Sequence, residues 1–514
     1  MRLGAPTLVA FTTLFACAPS PLAPALSSVP PAGSTPAVVS AAAPPSAAPA
    51  ASGSPTEPGK LAATPNPQAE PESPARDLRD ATLRSSQAWE TVRSLVDEVG
   101  PRISGSAGDK AAVAWALRAL PAAGLTAVHA EKVMVHHWER GEESGEIVAP
   151  FPHRVALAAL GGSIGTKGPR GLEAEVIEAD GLPSLEKLGK ERVKGKIVFL
   201  NAPMERRRDG AEYSRVVAVR GLGAVTAGKL GAVGLIIRSV GTDENRTPHT
   251  GAMRYEDNIP KIPAAALSIP DAETLHRILA RGGPVRFRMS LGAAMLPDVE
   301  SANVVGEIPG SASPDEIVLL GAHLDSWDLG QGAIDDGAGC AIVIEAARQI
   351  GKLAKKPRRT VRVVLFANEE MGLAGARAYA KAHEAEIGKH VLALEADSGA
   401  ARVYQATFLG DESRRPRFLE AVAAVRAIGV EAGTEPAHGG ADISFLLTAG
   451  VPAIDMRQDG TRYFDVHHTS NDTLDQIHKD DLDQAAAAFA AVAYAAADGE
   501  GDFGRIADDK RSHK

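Results

Sequence analysis

Residues 321–339 read GAHLDSWDLGQGAIDDGAG. This stretch decides the fold because of what flanks it. The run Ile317, Val318, Leu319, Leu320 ahead of it has the continuous apolar character of a buried strand, and a helix is predicted behind it over Ala338–Lys352. Strand, polar loop and helix in that order are the unit of an α/β layer fold. The loop also carries chemistry. His323 and Asp325 form a His-x-Asp pair, and Asp335 follows further along. Imidazole and carboxylate are ligands for zinc, carboxylate also for harder divalent cations, and a nearby carboxylate can hold a ligating imidazole in one tautomer.

Working outward, strands are predicted over 303–308, 317–322, 361–367, 390–395 and 451–455. Helices are predicted over 338–352, 375–383 and 415–429, and an alanine-rich helix over 481–497 should pack on a sheet face. The alternation implies a mainly parallel sheet flanked by helices. Three later segments bring further ligand-type groups: FANEEMG with Glu369 and Glu370, LEADSG with Asp397, and DVHHTSNDT with His467 and His468. Taken singly, each has a plain structural reading, such as a turn, a helix N-terminus or a solvated loop. His323, Glu369, Glu370 and Asp397 all follow apolar runs, and in open α/β sheets such strand ends converge on one edge. Scattered surface charge gives no reason for that placement.

The chain of 514 residues is too long for one core, so two or three domains are expected. A net charge of −9 without a basic run argues against nucleic acid or an anionic membrane surface as partner. Two cysteines, Cys17 and Cys340, exclude a disulfide framework. Residues 1–25 read as an export signal, with Arg2 ahead of a short apolar run. Leu14-Phe15-Ala16-Cys17 resembles a lipobox, which would anchor the protein to a membrane through lipid at Cys17. Cleavage after Ala23 or Ala25 would instead release it. Either way the protein is expected to be exported, as a periplasmic, envelope-bound or secreted protein. Residues 26–76 are rich in Pro, Ala and Ser and are expected to form a disordered tether.

Helices around Trp89–Val96 positions and over 109–123, then a strand over 126–136, are assigned to an N-terminal part of the main domain, 77–138. From 139 to 294 the texture changes to short β-like runs divided by glycine and proline, with one helix over 223–230. KGKIVFLN, GKLGAVGLIIRS and IPAAALSIPDA in this block resemble a protease-associated domain, a β-rich module whose usual role is to cover a neighbouring active site. The main domain resumes over 295–514.

HLDSWDLGQGAIDDGAG, PHTG at 248–251, IPKIP at 259–263 and HHTSNDT together resemble the co-catalytic di-zinc exopeptidases, which include bacterial aminopeptidases and glutamate carboxypeptidases. The resemblance runs from about Trp89 to Ala497. It implies two zinc ions per subunit bridged by Asp335, with His323 and Asp397 on one and Glu370 and His468 on the other. Glu369 would be the general base and Asp325 would stand behind His323. His438 and Asp442 would line the substrate pocket, and His467 would stabilise the oxyanion or support His468. His249 in the inserted block would reach toward the site. The substrate would be a dipeptide or short peptide, and relatives suggest a homodimer. Three alternatives stay open: an aminopeptidase on longer peptides, a single-zinc glutaminyl cyclase-like enzyme, and a receptor-like module without activity.

Overall fold

The computed structural model describes residues 72–511. The export signal, Cys17 and the tether up to residue 71 lie outside the described residues. The last part of the segment expected to be a tether is helical. Ser73 Oγ accepts the Arg76 amide at 3.2 Å, and a helix runs Pro74–Ser85. Proline is tolerated in a first turn, and Leu78 and Thr82 of this helix are buried.

The chain enters one eight-stranded sheet with β1 (Thr126–Glu139). It then builds a second eight-stranded sheet from β2 (Glu143–Ala149), β3 (His153–Val155), β4 (Leu157–Ala159), β5 (Leu172–Ala179), β6 (Ile197–Leu200), β7 (Gly234–Arg238), β8 (Ala264–Leu267) and β9 (Arg286–Leu291). It returns through β10 (Ala294–Ile308), which pairs antiparallel with β1 so that Glu139 lies opposite Ala294. The excursion therefore leaves and rejoins the first sheet at one point. The first sheet is completed by β11 (Ser313–His323), β12 (Arg359–Phe366), β13 (His390–Glu395), β14 (Val403–Leu409), β15 (Glu431–Ala432) and β16 (Ala453–Gln458), in the order β1-β10-β12-β11-β13-β16-β14-β15.

The four central strands of that sheet, β12-β11-β13-β16, are parallel. From Ile317 to His323 every residue of β11 is buried, as a strand covered on both faces requires. Helices Ala338–Lys352 and Lys479–Asp498 pack against each other and against the sheet, and nearly every residue of both is buried. Register fixes what happens at the carboxyl edge. His323 pairs beside Phe366, and Gly321 beside Glu395. The residues just past these strands, Glu369, Glu370 and Asp397, are thereby brought level with His323.

The second sheet has the order β3-β2-β9-β5-β6-β7-β8-β4, with parallel pairing from β5 to β8. It is less purely β than its sequence suggests, because helices Leu182–Val193, Ala211–Lys229 and Ile269–Leu279 accompany it. The helix expected over 223–230 starts at Ala211. Gly221 and Gly223 weigh against a helix locally, but a Cβ at Gly223 would meet Leu200 and Leu235 side chains at 2.9 Å. Glycine there lets the helix lie close on β6 and β7. Likewise the helix expected over 415–429 ends at Ala421 and continues as a 3₁₀ turn, Ala423–Ile428.

Candidate active site

The loop after β11 and the start of the next helix hold Asp335 between two imidazoles. His323 Nε2 lies 3.1 Å from Asp335 Oδ1 and 3.6 Å from Asp397 Oδ1. His468 Nε2 lies 3.3 Å from Asp335 Oδ2 and 3.1 Å from Glu370 Oε2. Each oxygen of one carboxylate thus faces a different imidazole, and each imidazole faces a second carboxylate. The five expected ligands come together as two triads that share Asp335.

The backbone aims these groups. Asn368 (φ +64°) and His468 (φ +63°) take left-handed conformations that non-glycine residues seldom adopt, one just before Glu369-Glu370 and one at the ligand itself. Asp336 Oδ2 accepts the His323 amide at 3.1 Å and its Oδ1 the Gly339 amide at 3.0 Å. Gly339 must be glycine, since a Cβ would sit 2.0 Å from Ala396 O and 2.1 Å from Asp336 Oδ1. Asp472 accepts the amides of Ile334 at 2.6 Å and Asp335 at 3.3 Å, which fixes the shared carboxylate from the far side. Burial pushes the Asp472 carboxyl up to about 7. The Trp327 indole donates to Glu370 Oε2.

The electrostatics are those of crowded carboxylates around two imidazoles. Burial opposes charge on His323, but hydrogen bonds to Asp335 and Asp397 outweigh it and hold the ring's pKa well above its usual range. His468 is likewise opposed by burial and raised to about 9 by Glu370 and Asp335. Burial also opposes charge on Asp335, yet His323 and His468 hold it well below the usual carboxylate range. Glu369 is pushed well up by burial, opposed by His323 and reinforced by Asp397 and Glu370. Burial among other acids drives Asp442 the same way, with Glu395 and Glu369 adding to it.

These residues fit zinc on the structure's own terms. A metal-ligating histidine donates its other ring N–H to a carbonyl or carboxylate. His323 Nδ1 meets the Asp325 carbonyl at 3.0 Å, and His468 Nδ1 meets the Thr250 carbonyl at 3.3 Å. Both Nε2 atoms are thus left facing the carboxylates. Asp335 Oδ2 and Glu370 Oε1 are buried without a hydrogen bond, a costly state that a cation relieves. Among the described residues, two groups hold ligand atoms all within 4.8 Å of one another: His323, Asp335 and Asp397, and Asp335, His467 and His468.

Other expected residues take different places. Asp325 does not orient His323 through its carboxylate, which lies 3.9 Å from Nδ1; its carbonyl does that. The carboxylate instead accepts the Glu369 amide at 3.0 Å and the Ser104 hydroxyl at 2.8 Å. Glu369 is partly exposed, and its carboxylate has no hydrogen bond or ion pair among the described residues. His467 stacks on His468 at 3.5 Å between centroids, with Nε2 3.6 Å from Asp335 Oδ2 and Nδ1 unpaired. Asp442 is buried with both carboxylate oxygens unpaired. His438 is exposed, and what holds it is its amide, donated to Asp455 Oδ2 at 2.5 Å; no contact joins its ring to the cluster.

The second sheet's layer reaches the site by residues that sequence reading missed. His249 does arrive, bonding the His467 carbonyl at 2.7 Å and Asp243 at 2.9 Å. Thr250 donates its amide to the His468 carbonyl at 3.0 Å. The buried Arg220 lies 3.3 Å from His468 Nδ1, donates to Tyr213 Oη at 2.6 Å, and pairs with no carboxylate among the described residues. Arg140 closes an ion pair with Asp328 at 2.7 Å, tying the layer to the loop after β11. Only Thr250 and His249, in PHTG, carried a signal in the sequence.

Known proteins resemble this chain. Residues 303–493 match the model of Peptidase family M28. Mouse carboxypeptidase Q is 40% identical over 413 residues, covering 80% of this chain and 86% of that protein. The crystal structure of a peptidase M28 precursor from Shewanella amazonensis is 45% identical with a TM-score of 0.82, over 84% of this chain and 97% of that one. A zinc aminopeptidase from Bacillus subtilis shares the fold, with a TM-score of 0.59 at 20% identity over 82% of this chain and 98% of that one. The chain is a metallopeptidase and belongs to peptidase family M28.

Proposed function

We propose that the protein is a two-zinc exopeptidase that hydrolyses dipeptides or short peptides, with Glu369 as general base. The observation that carries it is the pair of carboxylate–imidazole triads meeting on the two oxygens of Asp335. His323 and Asp397 would hold one ion, Glu370 and His468 the other, and Asp335 both. Zinc in such sites supplies Lewis-acid polarisation of the scissile carbonyl and a water acidic enough to ionise near neutral pH.

The chain's own residues do the rest. The Glu369 carboxylate, without a hydrogen bond among the described residues, takes a proton from the attacking water and returns it to the leaving amine. Asp325 fixes the backbone from which that carboxylate projects. His467, pushed well toward its neutral form by burial and by His468, can donate a hydrogen bond to the developing oxyanion. Arg220 is a buried guanidinium with no carboxylate partner among the described residues, and it suits the free C-terminal carboxylate of the substrate. Residues 139–294 act as a protease-associated layer that roofs the site and contributes Arg220. Mouse carboxypeptidase Q, by its name, acts at the carboxyl terminus, which agrees with that assignment.

The test is hydrolysis of one free dipeptide beside its N-acetylated and C-amidated forms, with bound zinc counted. Cleavage of the free dipeptide alone, with two zinc ions per chain, is the expected result. Cleavage that survives amidation but not acetylation would replace the dipeptidase assignment with an aminopeptidase. No cleavage by the two-zinc protein would overturn the exopeptidase reading.

A further inference from the structure

Residues 101–106, PRISGS, cross between the helices Ala88–Glu98 and Ala107–Ala122, and no step of the mechanism involves them. Arg102 is wholly buried, yet its guanidinium bonds go to backbone carbonyls. Nε donates to Leu324 at 2.6 Å, Nη2 to Gly332 at 2.7 Å, and Nη1 to Gln331 at 2.9 Å and Gly100 at 3.3 Å. Leu324 directly follows His323, and Gly332 stands shortly before Asp335. One planar fork thereby gathers both ends of the loop that joins these two ligands. The main chain adds to the grip, since the Arg102 amide donates to Ser326 Oγ at 3.2 Å and the Ser326 amide to the Arg102 carbonyl at 3.4 Å. Gly332 (φ +62°) makes room for the fork: a Cβ there would sit 2.6 Å from Arg102 Nη1.

Ser104, also buried, donates its hydroxyl to Asp325 Oδ2 at 2.8 Å, and the other oxygen of Asp325 accepts the Glu369 amide at 3.0 Å. The segment is itself anchored. Asp109 Oδ2 accepts the Gly105 amide at 2.9 Å, and Asp109 Oδ1 accepts the Ser301 hydroxyl of β10 at 2.7 Å. Space filling does not account for Arg102. A guanidinium taken out of water with no carboxylate partner among the described residues carries a desolvation cost that an apolar side chain would avoid.

Resting on the exopeptidase reading, we infer that Arg102 and Ser104 are positioning residues for the two halves of the site. Arg102 sets the loop between the zinc ligands His323 and Asp335, and Ser104 sets Glu369 through Asp325. Ligands and bases act well only when supporting bonds hold them near the productive geometry. The two residues therefore act on different quantities. Loosening the loop moves two ligands of one ion apart, which weakens zinc binding. Ser104 reaches no ligand, so its loss leaves zinc in place and slows turnover.

The experiment measures zinc affinity by competition with a chromogenic chelator, and kcat and KM for a free dipeptide at saturating zinc. It uses the wild type and the variants Arg102→Lys and Ser104→Ala. Lysine keeps the charge but loses the fork, so Arg102→Lys should weaken zinc binding by roughly 10–100-fold, the range for partners that support metal ligands. Ser326→Ala, which loosens Arg102 without touching its fork, is carried in case Arg102→Lys fails to fold, and should weaken zinc in the same direction. Ser104→Ala should keep the wild-type zinc affinity and KM and lower kcat roughly tenfold. Wild-type zinc affinity in Arg102→Lys, or in Ser326→Ala if only that variant folds, would overturn the role of Arg102. An unchanged kcat in Ser104→Ala, or a loss of zinc there, would overturn that of Ser104. If the wild type cleaves no dipeptide while Arg102→Lys still weakens zinc, the exopeptidase reading and the Ser104 role fall together and the Arg102 role stands.

Discussion

Asp325 Oδ1 accepts the backbone amide of Glu369 at 3.0 Å, so the loop after one strand holds the first residue needed after its neighbour. Its other oxygen is held by Ser104 at 2.8 Å. Asp325 therefore acts by positioning Glu369, while His323 takes its orientation from a carbonyl. Asp325→Ala is expected to lower kcat roughly 10–100-fold, the usual cost of losing a supporting partner in a metal site. KM should change little, and zinc content should stay at the wild-type value. Loss of zinc with unchanged kcat per bound metal would return Asp325 to a role behind His323.

Glu369 and Glu370 are adjacent yet differently placed. Glu370 faces His468 at 3.1 Å, whereas the Glu369 carboxylate has no hydrogen bond or ion pair among the described residues. Glu369→Ala should retain zinc and lose about 10²–10⁴ in kcat, the range attributed to general acid–base catalysis. Glu370→Ala should lose zinc as well as activity. Metal analysis of both variants beside their turnover separates the roles, and equal zinc loss would contradict them.

Much of this was legible because the central strands are buried on both faces. The runs ahead of His323, Glu369 and Asp397 are continuously apolar, so their ends, and hence the ligands, could be placed on one edge. β14 was not legible: Gln405 and Thr407 interrupt its apolar pattern, and it pairs antiparallel with β16. Asp472 and Arg220 escaped for another reason. Asp472 bonds amides 137 and 138 residues away, and Arg220 meets His468 across 248 residues. Roles made only by tertiary contact leave no local pattern.

Crowding of buried carboxylates makes the folded state dependent on its cations. Dialysis against a chelator is expected to lower the melting temperature, and zinc at 100 times its dissociation constant should restore about 2.7 kcal/mol of stability for each site filled. Asp335→Ala, which removes the carboxylate that both triads share, should abolish that response. Scanning calorimetry with and without zinc reads it. An unchanged transition after complete zinc removal would mean that the cluster is compensated within the chain.

Arg220 should discriminate the substrate's carboxyl end. Hydrogen bonds to a charged group are worth about 1.5–3 kcal/mol, or roughly 10–150-fold. Arg220→Ala is expected to reduce kcat/KM for a free dipeptide by that factor and to narrow the gap between the free and C-amidated forms. An equal loss on both substrates would make Arg220 a support for His468, which it also approaches at 3.3 Å.

Away from the site, His390 sets an acid limit on stability. Arg362 donates to Tyr379 Oη at 2.9 Å, so the tyrosine's own proton goes to His390 Nε2 at 2.9 Å. His390 Nδ1 then donates to the Glu386 carbonyl at 3.2 Å, and the ring is held neutral. Burial lowers its pKa to about 4, with the Glu386 carbonyl and carboxylate opposing and Arg362 and His383 adding to it. In the unfolded chain the pKa is near 6.5, so between pH 6.5 and 4 the unfolded state binds more protons. Stability from this group is complete above pH 6.5 and is lost as pH falls through 4, by about 3 kcal/mol at roughly 1.4 kcal/mol per unit. His383, raised by Glu131 and Glu386 against burial, acts in the opposite sense and loses its contribution as pH rises through its folded pKa. Urea unfolding at pH 7, 5.5 and 4.5 should therefore show a steeper loss in the wild type than in His390→Gln. Parallel pH dependences in the two proteins would show that His390 protonates without cost.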